Sequence, residues 1–92
     1  MNSWPDSRFI DVAGITAPII QAPMLGAGAD MMMGVAKAGG LGSLACATLD
    51  LETIRGEVAT FRAACDKPLN LNFFCHVAPV ADAERAQHWK SL

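Results

Sequence analysis

Short strand-like segments alternate with longer helical segments along this chain, and this alternation constrains its fold more than any other feature. The strand-like segments are residues 9–12, 19–22, 41–46 and 69–74, and the helical ones are residues 31–38, 51–65 and 80–92. Such alternation predicts right-handed βαβ units and a parallel sheet. Parallel strands need helices on both faces of their sheet, and a chain of 92 residues has too few helices to cover both faces. We therefore expect an open-ended α/β fold, the first part of a larger domain.

Two prolines bracket the second of these strand-like segments. Pro18 precedes it and Pro23 follows it. A proline inside a sheet removes a hydrogen bond from the ladder, so it is tolerated mainly where a strand begins or ends. The buried strand is therefore predicted to begin after Pro18 and to end at Pro23.

Two aspartates are predicted to cap helices. The carboxylates of Asp30 and Asp50 can accept hydrogen bonds from the free amides of a first helical turn. Gly39 tolerates positive φ and suits the position just after the first of these helices. After Asp50, apolar residues recur at spacings of three and four, which is typical of an amphipathic helix. These residues are Leu51, Ile54, Val58, Phe61 and Cys65.

The last strand-like segment separates apolar from polar side chains. Leu69, Leu71 and Phe73 share one face by the period of two, and they are predicted to pack on helices. Asn70 and Asn72 then point to the opposite side. In a closed (βα)8 barrel that side is the interior, and a residue near the carboxyl end of a strand reaches the ligand mouth. Asn72 is therefore a candidate ligand-binding residue, and the alternative is that its amide satisfies local backbone groups.

Charge and hydropathy exclude several classes of partner. Seven Lys and Arg stand against nine Asp and Glu without a basic run, so neither nucleic acid nor an anionic membrane surface is expected as a partner. The uncharged stretch at residues 12–29 is too interrupted by proline and glycine for a membrane span. Residues 1–6 show no secretory pattern, so we expect a cytoplasmic protein.

The isolated glycines, cysteines and histidines do not form a recognised site. Residue 31 is Met where a nucleotide-binding G-x-G-x-x-G beginning at Gly26 needs its third glycine. Three widely spaced cysteines argue against a disulfide framework and against a zinc site. His76 and His88 are twelve residues apart, which does not fit metal ligands on one helix. No metal is expected, and His76 is read as a surface or packing residue.

Three ordered motifs resemble the opening of the nitronate monooxygenase family, also called 2-nitropropane dioxygenases. They are PIIQAPM at residues 18–24, AGGLGS at residues 38–43 and PLNLNFFCH at residues 68–76. The resemblance implies a (βα)8 TIM barrel that binds FMN and oxidises alkyl nitronates with molecular oxygen to carbonyl compounds and nitrite. Residues 1–92 would then be the amino-terminal fragment of one FMN-binding domain, an incomplete barrel of its first three βα units.

The resemblance also implies roles for individual residues. Ala22, Pro23 and Met24 match the first-strand segment whose backbone lies against the flavin ring, and Asn72 matches the third-strand asparagine that hydrogen-bonds the cofactor. The family's catalytic histidine and phosphate loops lie downstream of these motifs. His76 is not assigned that role, the catalytic residue stays unknown, and these 92 residues alone are expected to be inactive.

Two alternatives stay open at this point. The FMN-dependent enoyl-acyl-carrier-protein reductases share the barrel and have similar early motifs. A non-catalytic half-barrel or binding module is the second alternative, and its open sheet edges would favour self-association or a partner chain. The sequence fixes neither the preferred nitronate or nitroalkane substrate nor the oligomeric state.

Overall fold

The computed structural model describes residues 4–92, where a short helix is followed by alternating helices and strands. The elements are α1 (Arg8–Ala13), α2 (Ala29–Lys37), β1 (Gly42–Ala45), α3 (Leu51–Ala64), β2 (Leu69–Asn72) and α4 (Ala83–Ser91). Residues 1–3, on which the expectation of no secretory leader partly rests, lie outside the described residues. No helix within residues 4–92 is both long enough and apolar enough to cross a lipid bilayer.

β1 and β2 form a parallel two-stranded sheet, as the alternation predicts. Ser43 pairs with Asn70, and Ala45 pairs with Asn72. A third segment joins β1 through a single parallel bridge between Ile20 and Leu41. The described chain is therefore an α/β structure in which β1 lies between two neighbours that run in its own direction.

The predicted strand before Pro23 is shortened to that single bridge. Gln21 donates its backbone N–H to the carbonyl of Leu41 at 2.9 Å, which continues the parallel ladder. The next ladder donor, the N–H of Ser43, instead reaches the side-chain Oε1 of Gln21 at 3.0 Å. Pro23 has no N–H with which to resume the ladder. The prediction of a strand that continues to Pro23 is therefore wrong, because the side chain of Gln21 takes the next ladder bond and pairing stops before the proline.

The core lies between the sheet and helices α2 and α3. Its buried members are Met32, Ala36, Leu44, Cys46 and Phe61. Helix α2 lies directly on β1 because Gly42 has no side chain: a Cβ built there would be 3.1 Å from the Cα of Met32 and still closer to its carbonyl oxygen. Phe61 of α3 fills the space beside this contact and is fully buried.

Helix α3 confirms its predicted cap and most of its predicted stripe. The carboxylate of Asp50 accepts the N–H of Thr53 at 2.8 Å. Phe61 is buried, and Ile54 packs against the core at partial exposure. Leu51 is exposed instead, so the first residue of the predicted stripe does not join the core.

Helix α1 contradicts the predicted strand at residues 9–12. Asp6 accepts the backbone N–H of Arg8 at 3.0 Å at the start of the helix. Gly14 ends it with a φ of 72°, and its N–H donates to the carbonyl of Ile10 at 2.9 Å. Ile10 is the buried residue of this helix. A segment as short as residues 9–12 fits either a helical or a strand period. The contacts of Asp6 and Gly14 at its two ends favour the helix.

Helix α2 begins at Ala29, two residues before the predicted start at residue 31. Gly28 occupies the N-cap position without a side-chain hydrogen bond, and Asp30 lies inside the first turn. There the Asp30 carboxylate still favours the helix by lying near the positive end of its dipole. The prediction of Asp30 as the cap is therefore wrong, although its charge acts at the same helix end. Gly39, just past the end, has the expected positive φ of 103°.

The last predicted strand and the last helix are only partly packed. β2 ends at Asn72, two residues before the predicted end. Leu69 packs against the core, whereas Leu71 and Phe73 are exposed, so the prediction that all three pack on helices is wrong for two of them. The reason is that α4 does not cover them, since all of its residues are exposed. The Cα radius of gyration of 17.9 Å exceeds the roughly 12 Å of a compact domain of this length.

Two glycine substitutions are expected to have opposite effects on stability. Gly42→Ala places a methyl group against the backbone of α2 and should lower the free energy of unfolding by about 1–3 kcal/mol. Gly56→Ala is the matched control in α3, where an added Cβ meets nothing within 4 Å. It should raise that free energy by about 0.5–1 kcal/mol through helix propensity. Urea unfolding followed by circular dichroism measures both, and effects of the same sign would contradict the close packing of α2 on β1.

The Asp50 cap is expected to make stability depend on acid pH. Hydrogen bonds from Thr53 hold the pKa of the Asp50 carboxyl below its usual value. The stabilisation is therefore complete above the unfolded-state pKa of about 3.9 and is lost as the pH falls through the lower folded-state pKa. Asp50→Asn keeps an acceptor oxygen and should flatten this part of the pH profile. Urea unfolding of both chains from neutral to acid pH tests this, and parallel profiles would contradict it.

Candidate functional site

The carboxyl ends of the three parallel segments lie at one edge of the sheet, which we call the carboxyl edge: residues 22–24, Ala45 and Asn72. Residues 22–24 follow the bridge at Ile20, and Ala45 and Asn72 end β1 and β2 opposite each other. All four candidate residues from the sequence therefore lie at this edge. Parallel strands deliver their ends to one side in this way, which is where α/β proteins bind ligands.

The candidate residues differ in how far they are exposed. Met24 is 62% exposed. Ala22 is also exposed, while Pro23 and Asn72 are half-buried. The carbonyl of Asn72 accepts the N–H of Cys46 at 2.9 Å, which holds the end of β2 against β1. Exposed residues beside a proline, together with a half-buried amide side chain on a strand end held by its backbone, suit a flat polar ligand.

A polar relay of Gln21, Ser43 and Asn70 lies one step below the carboxyl edge. The N–H of Ser43 donates to the side-chain oxygen of Gln21 at 3.0 Å, and the Asn70 side-chain amide donates to the Ser43 hydroxyl at 3.0 Å. This places Asn70 on the face opposite the core, as the alternation predicts. Because β-strand side chains alternate, Asn72 lies on that same face. The relay ties all three parallel segments together through side chains.

Gln21 contributes a buried polar group that remains without a partner. Its side chain is 6% exposed, and its Nε2 has no hydrogen-bond partner among residues 4–92. The Ser43 N–H must face an oxygen, so this bond fixes which end of the Gln21 amide is Nε2. A buried donor of this kind costs about 1–3 kcal/mol. Sequence analysis did not single out Gln21 or Ser43, although a glutamine inside an apolar strand next to a proline is a visible signal.

A cleft of about 290 Å³ opens beside Met24, on the helix side of the carboxyl edge. The loop through Gly26, the end of β1 at Ala45 and the first two turns of α3 line it. Glu57 of α3 contributes a carboxylate to this lining. A space of this size is near the lower limit for a small-molecule pocket, and its acidic wall disfavours anions.

The cysteines and histidines do not extend the site. Burial raises the pKa of the Cys46 thiol, which keeps it protonated and unreactive. Cys46 is thus a buried packing residue as expected, whereas Cys75 is exposed. His76 lies in the exposed segment after β2, with its ring 5.6 Å from that of Phe74. Within residues 4–92 no three His, Cys, Asp or Glu side chains form a group that could hold a metal ion.

Comparison with known proteins shows relatives over nearly the whole chain. A protein named nitronate monooxygenase from Pseudomonas aeruginosa is 43% identical over 83 residues, covering 89% of this chain and 24% of the relative. A protein of the same name from Paraburkholderia phytofirmans is 42% identical over 83 residues, covering 89% and 23%. The chain therefore spans about a quarter of the length of these relatives.

The fold is also found in a solved structure. FabK from Thermotoga maritima superposes with a TM-score of 0.66 at 30% sequence identity, over 72% of this chain and 22% of that chain. The family model for nitronate monooxygenase matches residues 6–92, which include the polar relay and the whole carboxyl edge. On this match, the chain belongs to the nitronate monooxygenase family.

Proposed function

We propose that this chain forms one wall of an FMN site in an oxidoreductase that converts alkyl nitronates and molecular oxygen to carbonyl compounds and nitrite. In this proposal it is the amino-terminal part of a (βα)8 barrel, comprising the first three βα units. The supporting observation is that residues 22–24 and Asn72 lie at the same edge of a parallel sheet. Membership of the nitronate monooxygenase family over residues 6–92 supports the reaction type.

Two parts of the carboxyl edge fit the ring of the cofactor. Residues 22–24 make no ladder bond to β1 and Ala22 and Met24 are exposed, so a flat ring can approach this segment without a competing strand. The Asn72 amide offers both a donor and an acceptor to ring heteroatoms. FMN, when bound, supplies the electron transfer and the reaction with oxygen. The chain's own residues hold and orient the ring.

The same edge does not fit the phosphate of the cofactor. A helix N-terminus binds phosphate when its amides are free and no negative charge competes. The amides of α3 are capped by Asp50, and Asp30 lies in the first turn of α2. Both helix starts therefore carry carboxylates. We propose that phosphate contacts, and the base that accepts a proton from a nitroalkane substrate, come from residues outside this chain.

A second candidate function has one specific observation in its favour. The structural likeness to FabK favours an FMN-dependent enoyl-acyl-carrier-protein reductase. Assays of a polypeptide that carries these residues in a whole barrel separate the two functions. Oxygen consumption with a nitronate supports the first, whereas reduction of an enoyl thioester by a nicotinamide cofactor supports the second.

We expect the chain to bind the flavin ring weakly and without preference for the phosphate. Riboflavin and FMN should show similar dissociation constants, in the range of about 1 mM or weaker. NMR titrations that follow the backbone amide chemical shifts of Met24 and Asn72 measure the dissociation constants of both ligands. Asn72→Leu should weaken binding of both ligands severalfold, because the ring loses its amide partner.

His76→Ala is the matched control for this titration, since His76 lies beyond the end of β2 and is assigned no contact with the ring. It should leave both dissociation constants unchanged. Tight stoichiometric binding of FMN without binding of riboflavin would contradict the proposed division between ring and phosphate contacts.

A further inference from the structure

Gln21 stands where the first segment leaves the sheet. Its backbone N–H makes the last ladder hydrogen bond of that segment, to Leu41 at 2.9 Å. In a regular parallel ladder the N–H of Ser43 would next bond the backbone carbonyl of Gln21. It bonds the side-chain Oε1 of Gln21 instead, at 3.0 Å. The side chain has taken the place of the main chain at this step.

This replacement changes the direction of the chain that follows. The backbone carbonyl of Gln21 does not have to face β1, so the peptide unit between Gln21 and Ala22 is free to turn away from the ladder. Pro23 has no N–H with which to return. Residues 22–24 follow without a hydrogen bond to β1, and Ala22 and Met24 are exposed although Gln21 itself is buried.

Stability alone does not account for a glutamine at this position. Its Nε2 is buried without a partner among residues 4–92. A methionine of similar length would remove the unpartnered Nε2 but leave the Ser43 N–H without its acceptor, so one buried donor is unpaired with either side chain. Costs of this kind are expected where a residue serves a site rather than the core.

We propose that Gln21 is a positioning residue, whose side-chain hydrogen bond to the Ser43 N–H sets the path of residues 22–24 along the carboxyl edge. The purpose of this positioning, to present backbone to a flavin ring, rests on the proposed function. The positioning itself is a property of the ligand-free chain, so its test does not depend on whether flavin binds.

Gln21→Met tests the proposal by removing the acceptor while keeping the length of the side chain. The amide hydrogen of Ser43 should exchange at least ~5-fold faster, because it loses a buried partner. Exchange at Leu41 and in α3 should be unchanged. The heteronuclear NOE of Ala22 and Met24 should fall, which reports greater motion of the edge. The free energy of unfolding should change little, since the unpartnered Nε2 is removed together with the bond.

Gln87→Met is the matched control, because it makes the same substitution on the exposed surface of α4. It should change neither Ser43 exchange nor the order of residues 22–24. Gln21→Glu keeps an acceptor oxygen and should retain slow exchange at Ser43. An equal acceleration at Ser43, Leu41 and the α3 amides in Gln21→Met would show a general structural role and overturn the proposal. Unchanged exchange at Ser43, or rapid exchange there in the unsubstituted chain, would also overturn it.

Discussion

The close contact of helix α2 with strand β1 at Gly42 is the constraint on which the other contacts depend. Because no side chain separates the two backbones, Met32 reaches the sheet and meets Phe61 of α3 in one small core. That core fixes the face of β1 that is turned toward the helices. Ser43 lies on the opposite face, where it makes hydrogen bonds with the side chains of Gln21 and Asn70.

The division of β1 into an apolar face and a polar face determines how the carboxyl edge is built. The apolar face holds the helices, and the polar face links three parallel segments whose ends meet at the carboxyl edge. Carboxylates at the starts of α2 and α3 give this edge a negative character, which suits an uncharged ring better than a phosphate. The chain thus spans about a quarter of the length of its relatives, and in our proposal it supplies one wall of an FMN site.

The elements that could be predicted from sequence are those with a local physical signal. The Asp50 cap and the stripe containing Phe61 each depend on neighbouring residues, and the structure has both. The helix at residues 8–13 was missed because its short apolar run suits two periods, and its contacts with Asp6 and Gly14 decide between them. Gln21 was missed because its role depends on Ser43, whose position only the sheet determines.

The attachment of residues 22–24 has a dynamic consequence. They follow Ile20 and Gln21, which join β1 through a single bridge and one side-chain bond, whereas β1 and β2 share a core and a regular ladder. Regions held by few buried contacts open at a lower free energy than the core does. We therefore expect this segment to open locally while the β1–β2 sheet remains paired, and a molecule that binds against it would bind more tightly when a neighbouring segment restricts this opening.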